Sequence, residues 1–159
     1  IYLRQPKEPH YCKYVDKITK SFRHSVNQKF HLEPTSYGGS FMGKINVISQ
    51  MYSVYDKKDD IDEARALLVN CTEEYLNQIN QDEKIKPYLS HYPFSKNGLE
   101  FSIYFHKARF EYVESNFIAV ASLVNGKLRY GFYDHEKKKF VDVHRESYEE
   151  AVRIVKEGK

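Results

Sequence analysis

Apolar residues recur along this chain with two periods, and the change of period marks its elements. From Pro9, which suits a first helical turn because it has no N–H to leave unbonded, Tyr11, Val15, Ile18, Phe22 and Val26 follow at helical spacing. They predict one apolar stripe on a first helix. Ile61, Ala64, Leu67, Leu68, Cys71, Tyr75 and Ile79 predict a second helix ending near Asn80. It is opened by Asp60 with Glu63 three residues on, the reciprocal arrangement of a capping box. Ser147 and Glu150 repeat that signature ahead of a third stripe, Tyr148, Ala151, Val152 and Val155.

Elsewhere the period is two. Asn97–Gly98 turns the chain into a run where Leu99, Phe101, Ile103 and Phe105 alternate with Glu100, Ser102, Tyr104 and His106. This is the pattern of a strand with one buried face. Asn125–Gly126 sits between two β-rich runs and suits a two-residue type I′ turn, since both positions need positive φ. That turn sets a register: Val124 opposite Lys127, Ser122 opposite Arg129, Val120 opposite Gly131. Phe117, Ala119, Ala121 and Leu123 then share the core side with Leu128, Tyr130 and Phe132. A turn around His135–Lys139 leads to a short strand, Phe140–His144. Lys44–Asp56 is rich in β-branched and aromatic residues, and its two faces, Ile45/Val47/Met51 and Ile48/Tyr52/Val54, are both apolar, which predicts either a buried strand or a period other than two. Glu33–Gly43, with Pro34 and the pair Gly38–Gly39, predicts irregular chain.

The order α-β-α-β-β-β-β-α predicts an α+β fold: an antiparallel sheet of four or five strands with about three helices packed on one face. The 159 residues suit a single domain. Residues 1–43 supply its N-terminal helix and Gly/Pro-containing loop, and 44–159 a strand, a helix, a meander and a last helix.

Composition alters this picture in one respect. Fourteen Tyr and ten Phe, with no Trp, mean that tyrosine must enter the core and also reach the surface. The net charge is +3, and the basic residues are scattered: Lys57–Lys58 runs into Asp59–Asp60, and Lys137–Lys139 follows Glu136 in a turn. Neither run has the one-sided clustering of a nucleic-acid arm. The longest apolar run, Phe117–Val124, is strand-sized and far short of a membrane helix. The sequence begins at Ile1 without Met, which fits a cleaved signal peptide or a trimmed start equally. Cys12 and Cys71 would allow one bridge in an oxidising compartment, and their spacing matches no metal or redox motif.

The chemistry-bearing residues form no recognised catalytic or metal-binding pattern. No two of the seven histidines have the spacing that puts a ligand pair on one helical face. There is no nucleophile elbow, phosphate loop or dinucleotide fingerprint, so the sequence implies neither metal nor cofactor. The Asn70–Cys71–Thr72 glycosylation triplet falls in a helical stripe. Cys71 lies mid-stripe, the position of a small core hydrophobe. A cysteine- or histidine-dependent hydrolase would need Cys71 or Cys12 within hydrogen-bond reach of His91 or His106.

Two sets of residues point instead to recognition. Tyr104, His106, Arg129 and Tyr133, with Glu100 and Ser102, face away from the core if their strands are neighbours. Together they combine aromatic area with polar tips, the chemistry of binding hot spots. The loop Pro87–Phe94, carrying Tyr88, His91 and Tyr92, is a second candidate edge, or a plug for one end of the core. The expectation is a non-catalytic binding or interaction domain with a protein or peptide partner, and with no nucleic acid and no membrane span.

Some segments also resemble small uncharacterised bacterial proteins, many of them exported. They are Ala64–Arg65, the run Ile85–Lys86–Pro87–Tyr88–Leu89 to Tyr92–Pro93–Phe94, the Gly126–Lys127 hairpin and Glu149–Glu150–Ala151. The resemblance spans roughly the C-terminal two-thirds. It implies a place in the envelope or outside the cell and carries over no activity.

Overall fold

The computed structural model describes residues 8–158. The expectation about what preceded Ile1 lies outside them. Three helices, α1 (Cys12–Phe30), α2 (Ile61–Gln81) and α3 (Tyr148–Glu157), cover one face of an α+β fold. Its sheet has seven strands: β1 (Glu33–Ser40), β2 (Val47–Tyr55), β3 (Leu99–Ala108), β4 (Glu111–Tyr112), β5 (Val120–Val124), β6 (Lys127–Asp134) and β7 (Lys139–Ser147). The order is β1-β2-β3-β5-β6-β7, with short β4 added beside β3.

All pairs are antiparallel except β2–β3, which is parallel. The exception has a topological cause. A tight turn cannot join parallel strands, so the chain crosses over through α2 and re-enters at the 3-10 turn Lys96–Gly98. The strand count exceeds the four or five expected because β1 and β4 are added. Glu33–Gly43 is not irregular: residues 33–40 pair with β2 as an edge strand. Pro34 is tolerated at the edge, beside a bulge at Thr35. Gly39 is required by close approach, since a Cβ there would sit 2.2 Å from the Val47 carbonyl oxygen.

The predicted hairpin is present residue for residue. Asn125 and Gly126 have φ of 52° and 72°, and Val124 pairs with Lys127, Ser122 with Arg129 and Val120 with Gly131. Strand β7 runs longer than Phe140–His144, extending at both ends. The Asp60–Glu63 capping box closes the start of α2, and the Ser147 hydroxyl accepts the Glu150 N–H at the start of α3.

The core lies between the helices and the inner sheet face. Phe22 of α1, Tyr75 of α2, Tyr52 of β2 and Phe101 of β3 pack as one aromatic group, with ring centroids 4.4 to 6.3 Å apart. Their tyrosine hydroxyls are satisfied inside: Tyr75 with Thr19 at 2.6 Å, Tyr52 with Gln50. Burial pushes both phenols well above the usual range, so they stay neutral.

A buried ion pair ties α2 to β7. Glu146 accepts from Arg65 at 2.7 and 3.1 Å, from Tyr130 at 2.7 Å and, on its other side, contacts His144 at 3.1 Å. Burial pushes the Glu146 carboxyl up, but these partners together hold it below the ordinary glutamate value. No helix of the described residues is long and apolar enough to cross a membrane.

Candidate functional site

The face of the sheet opposite the helices is covered by no described element. Alternation places on it Glu100, Ser102, Tyr104 and His106 from β3 and Arg129 and Tyr133 from β6. Strand order makes them neighbours, because Ser102 pairs with Ser122 and Ser122 with Arg129, while Tyr104 pairs with Val120 and Val120 with Gly131. The six therefore share one face, divided into two halves of different chemistry.

One half is polar and self-paired. Arg129 donates to Asp142 at 2.5 and 3.2 Å, and Arg145 donates to the same carboxylate oxygen at 2.7 and 3.2 Å. The two guanidiniums hold the Asp142 carboxyl below its ordinary value. Ser49 donates to Glu100 at 2.8 Å.

The other half is aromatic. Tyr112 of β4 stands at its centre, with His106 at 4.9 Å, Tyr133 at 4.7 Å and Phe140 at 4.9 Å between ring centroids. Tyr104 and Tyr133 both approach Phe140, at 5.9 and 5.1 Å. On the far side Tyr55 stacks on His106 at 5.2 Å. Tyr55, His106 and Tyr112 thus form a stack across β2, β3 and β4.

His106 is fixed by more than stacking, since its Nε2 lies 3.0 Å from Ser53 Oγ on the neighbouring parallel strand. Burial lowers the His106 pKa below the ordinary histidine value, so the ring is neutral near pH 7. Its Nδ1 is buried with no partner among the described residues. The Tyr112 phenol is pushed up, first by burial and then by the Tyr104 and Tyr133 phenols beside it.

Among the described residues, no hydrogen bond engages the hydroxyls of Tyr55, Tyr104, Tyr112 or Tyr133. Tyr104, Tyr112 and Tyr133 are half-buried and pack on one another, Tyr55 is exposed and packs on His106, and their polar ends are uncommitted.

Tyr55, Tyr112 and Phe140 were missed as site residues. The β3–β4 hairpin that brings Tyr112 back beside His106 turns through Arg109–Phe110, with Phe110 at φ 65°. No Gly, Asn or Pro marks that turn, so the sequence holds no local signal for it.

The loop candidates play a different part. Tyr88 stacks against Tyr11 and Tyr14 of the α1 region at 5.1 and 5.9 Å, and its hydroxyl meets His10 Nε2 at 3.1 Å. His91 stacks on buried Phe94, and its Nε2 accepts the Ser95 N–H at 3.0 Å. Asn80 clamps the Phe94 backbone, accepting its N–H at 2.7 Å and donating to its carbonyl at 2.9 Å. Tyr92 is exposed under the Lys86 ammonium. The loop closes one end of the core, and Tyr88 and His91 are used in doing so.

Both cysteines are free thiols and buried, and no hydrogen bond joins either to a described histidine. Burial pushes the Cys71 thiol far above its usual range, and burial and nearby Glu8 raise Cys12. Either group is a poor nucleophile as it stands.

The chain matches no family model, no curated protein and no solved structure.

Proposed function

We propose that this protein is a non-catalytic binding domain whose contact surface is the aromatic half of the open sheet face. The observation that carries this reading is the group of four tyrosines whose rings are held in place and whose hydroxyls have no partner among the described residues. A tyrosine fixed by its neighbours loses little side-chain entropy on binding, and it offers both ring area and a hydrogen bond. Phe140, beside them, is well exposed and adds apolar area. The polar half serves as a rim, because Asp142 and its two arginines are paired with one another there, with one positive charge left over. The partner of this reading is a protein or an extended peptide, and the resemblance noted above supports a place outside the bacterial cytoplasm.

Selection of a displayed peptide library on the folded chain tests it. The retained peptides are then measured against a Tyr104→Ala/Tyr133→Ala/Phe140→Ala variant and, separately, a Tyr92→Ala variant. Binding at least tenfold weaker to the triple variant, with circular dichroism unchanged, is the expected result. Equal binding to wild type and triple variant sinks the open face as the contact surface.

A further inference from the structure

We propose that a hollow at one end of the open face binds an aromatic ring bearing a carboxylate, supplied by a free aromatic acid or by the C-terminal aromatic residue of a peptide. This rests on the open face being a binding surface, and it adds a ligand chemistry and a second location on it. The hollow has a volume of about 370 Å³, within the range of small-ligand sites. Its aromatic lining is the stack of Tyr55, His106 and Tyr112, three flat groups held nearly parallel. Such a surface favours a flat, apolar ligand group.

Two features at the rim select the ligand's polar end. On one side is the turn Arg109–Phe110, where Phe110 is 90% exposed and the Arg109 guanidinium lies 5.0 Å from its ring centroid. No carboxylate among the described residues pairs with Arg109. The acids of the adjoining chain, Glu111 and Glu114, lie 4.0, 3.8 and 3.4 Å from the ammonium groups of Lys107 and Lys58 instead. On the other side is Thr35, exposed at the bulge where the β1–β2 ladder skips a residue. Thr35 has no partner in that register.

The charge balance decides the sign of the ligand. An aromatic-lined hollow can also take a cation. This one has an uncommitted guanidinium at its mouth and no carboxylate in its lining, so it favours an anion. A guanidinium matches a carboxylate with paired, charge-assisted hydrogen bonds. The hollows of 340 to 520 Å³ on the helical side lack this combination of stacked rings and unpaired arginine.

The test is an NMR titration of the full chain with four probes: phenylacetate, phenylacetamide, N-acetyl-Gly-Phe and its C-terminal amide. Saturable shifts of the Arg109, Phe110 and Tyr112 amides and the His106 ring are expected with at least one acid. Its amide should bind at least tenfold more weakly, and Arg109→Gln should reduce the acid to the level of the amide. Arg109 is exposed, so its replacement does not threaten the fold. Tighter binding of phenylacetate identifies a free acid as the source, and tighter binding of N-acetyl-Gly-Phe a peptide terminus; either result supports the proposal. No saturable shift with either acid up to about 10 mM, well past a millimolar Kd, overturns it. So do equal affinities for acid and amide, shifts that map elsewhere, or binding unchanged in Arg109→Gln. Such a failure leaves the library experiment standing, because Tyr104, Tyr133 and Phe140 lie outside this hollow. Loss of the library result alone removes Tyr104, Tyr133 and Phe140 from the contact surface and confines it to the hollow.

Discussion

On the helix-covered side, Tyr52, Tyr75, Tyr130 and Tyr148 are buried, and each hydroxyl meets a partner: Gln50, Thr19, Glu146 and Glu73. On the open side, Tyr55, Tyr104, Tyr112 and Tyr133 pack ring against ring with hydroxyls that meet none among the described residues. The residue type is the same and its use differs. A buried phenol without a partner would cost the desolvation of its hydroxyl, so each inner tyrosine is accompanied by one, from another element for Tyr75, Tyr130 and Tyr148 and from its own strand for Tyr52. The outer tyrosines can leave their hydroxyls to water, and a partner can engage them later. An inner tyrosine is therefore a structural residue with a matched neighbour, and an outer one is a ring whose hydroxyl is left to solvent.

The contrast extends to charge, and there the largest effect is expected. Arg65 and Glu146 are almost fully buried, with side chains 7% and 4% exposed. Arg65→Ala strands the Glu146 carboxylate in the interior and should lower unfolding free energy by about 3–5 kcal/mol. Arg129→Ala removes an exposed pair and should cost under about 1 kcal/mol. Urea denaturation of both variants measures the difference. A loss for Arg65→Ala no larger than that for Arg129→Ala breaks the comparison.

A smaller effect separates the tyrosines. Tyr75→Phe leaves Thr19 without its buried partner and should cost about 1 kcal/mol. Tyr104→Phe removes a hydroxyl that bonds nothing among the described residues and should stay within about 0.5 kcal/mol of wild type. If the two variants unfold at the same denaturant midpoint, the distinction between committed and uncommitted hydroxyls fails.

The smallest effect concerns pH. His106 has its pKa lowered by burial in the folded chain, from an unfolded value near 6.5. Between these two values the unfolded chain binds the proton that the folded chain refuses. The His106 contribution is therefore complete above the unfolded value and declines as pH falls through 6.5 towards the lowered folded value. Replacing His106 by Phe keeps a ring in the stack and removes the titration. The variant should lose less stability than wild type between about pH 7.5 and about pH 5. An identical loss would mean that the open-face stack does not hold this ring neutral.

Much of the fold was legible because its signals are local. The Asp60–Glu63 box, the stripe from Ile61 to Ile79 and the alternation from Leu99 to His106 each lie within one element. Asn125–Gly126 specifies a turn, and the turn specifies a register across ten residues. Strand β1 was illegible because Pro34, Gly38 and Gly39 favour irregular chain, and only the long contact with β2 overrides them. The parallel placement of β2 beside β3 depends on where α2 returns the chain, which no local pattern records.

The candidate site divides in the same way. The sequence by itself determined that Tyr104, His106, Arg129 and Tyr133 face away from the core, because a period of two leaves no other side for them once Phe105 and Tyr130 are buried. Tertiary structure decided which of them act together. The order β3-β5-β6-β7 places Phe140 against Tyr104 and Tyr133, and the β3–β4 hairpin places Tyr112 between His106 and Tyr133. The same order sets Arg129 beside Asp142 and so removes it from the aromatic group. Alternation is a property of one strand and survives in the sequence. Adjacency belongs to pairs of strands far apart in the chain, and it arises only when the whole sheet forms.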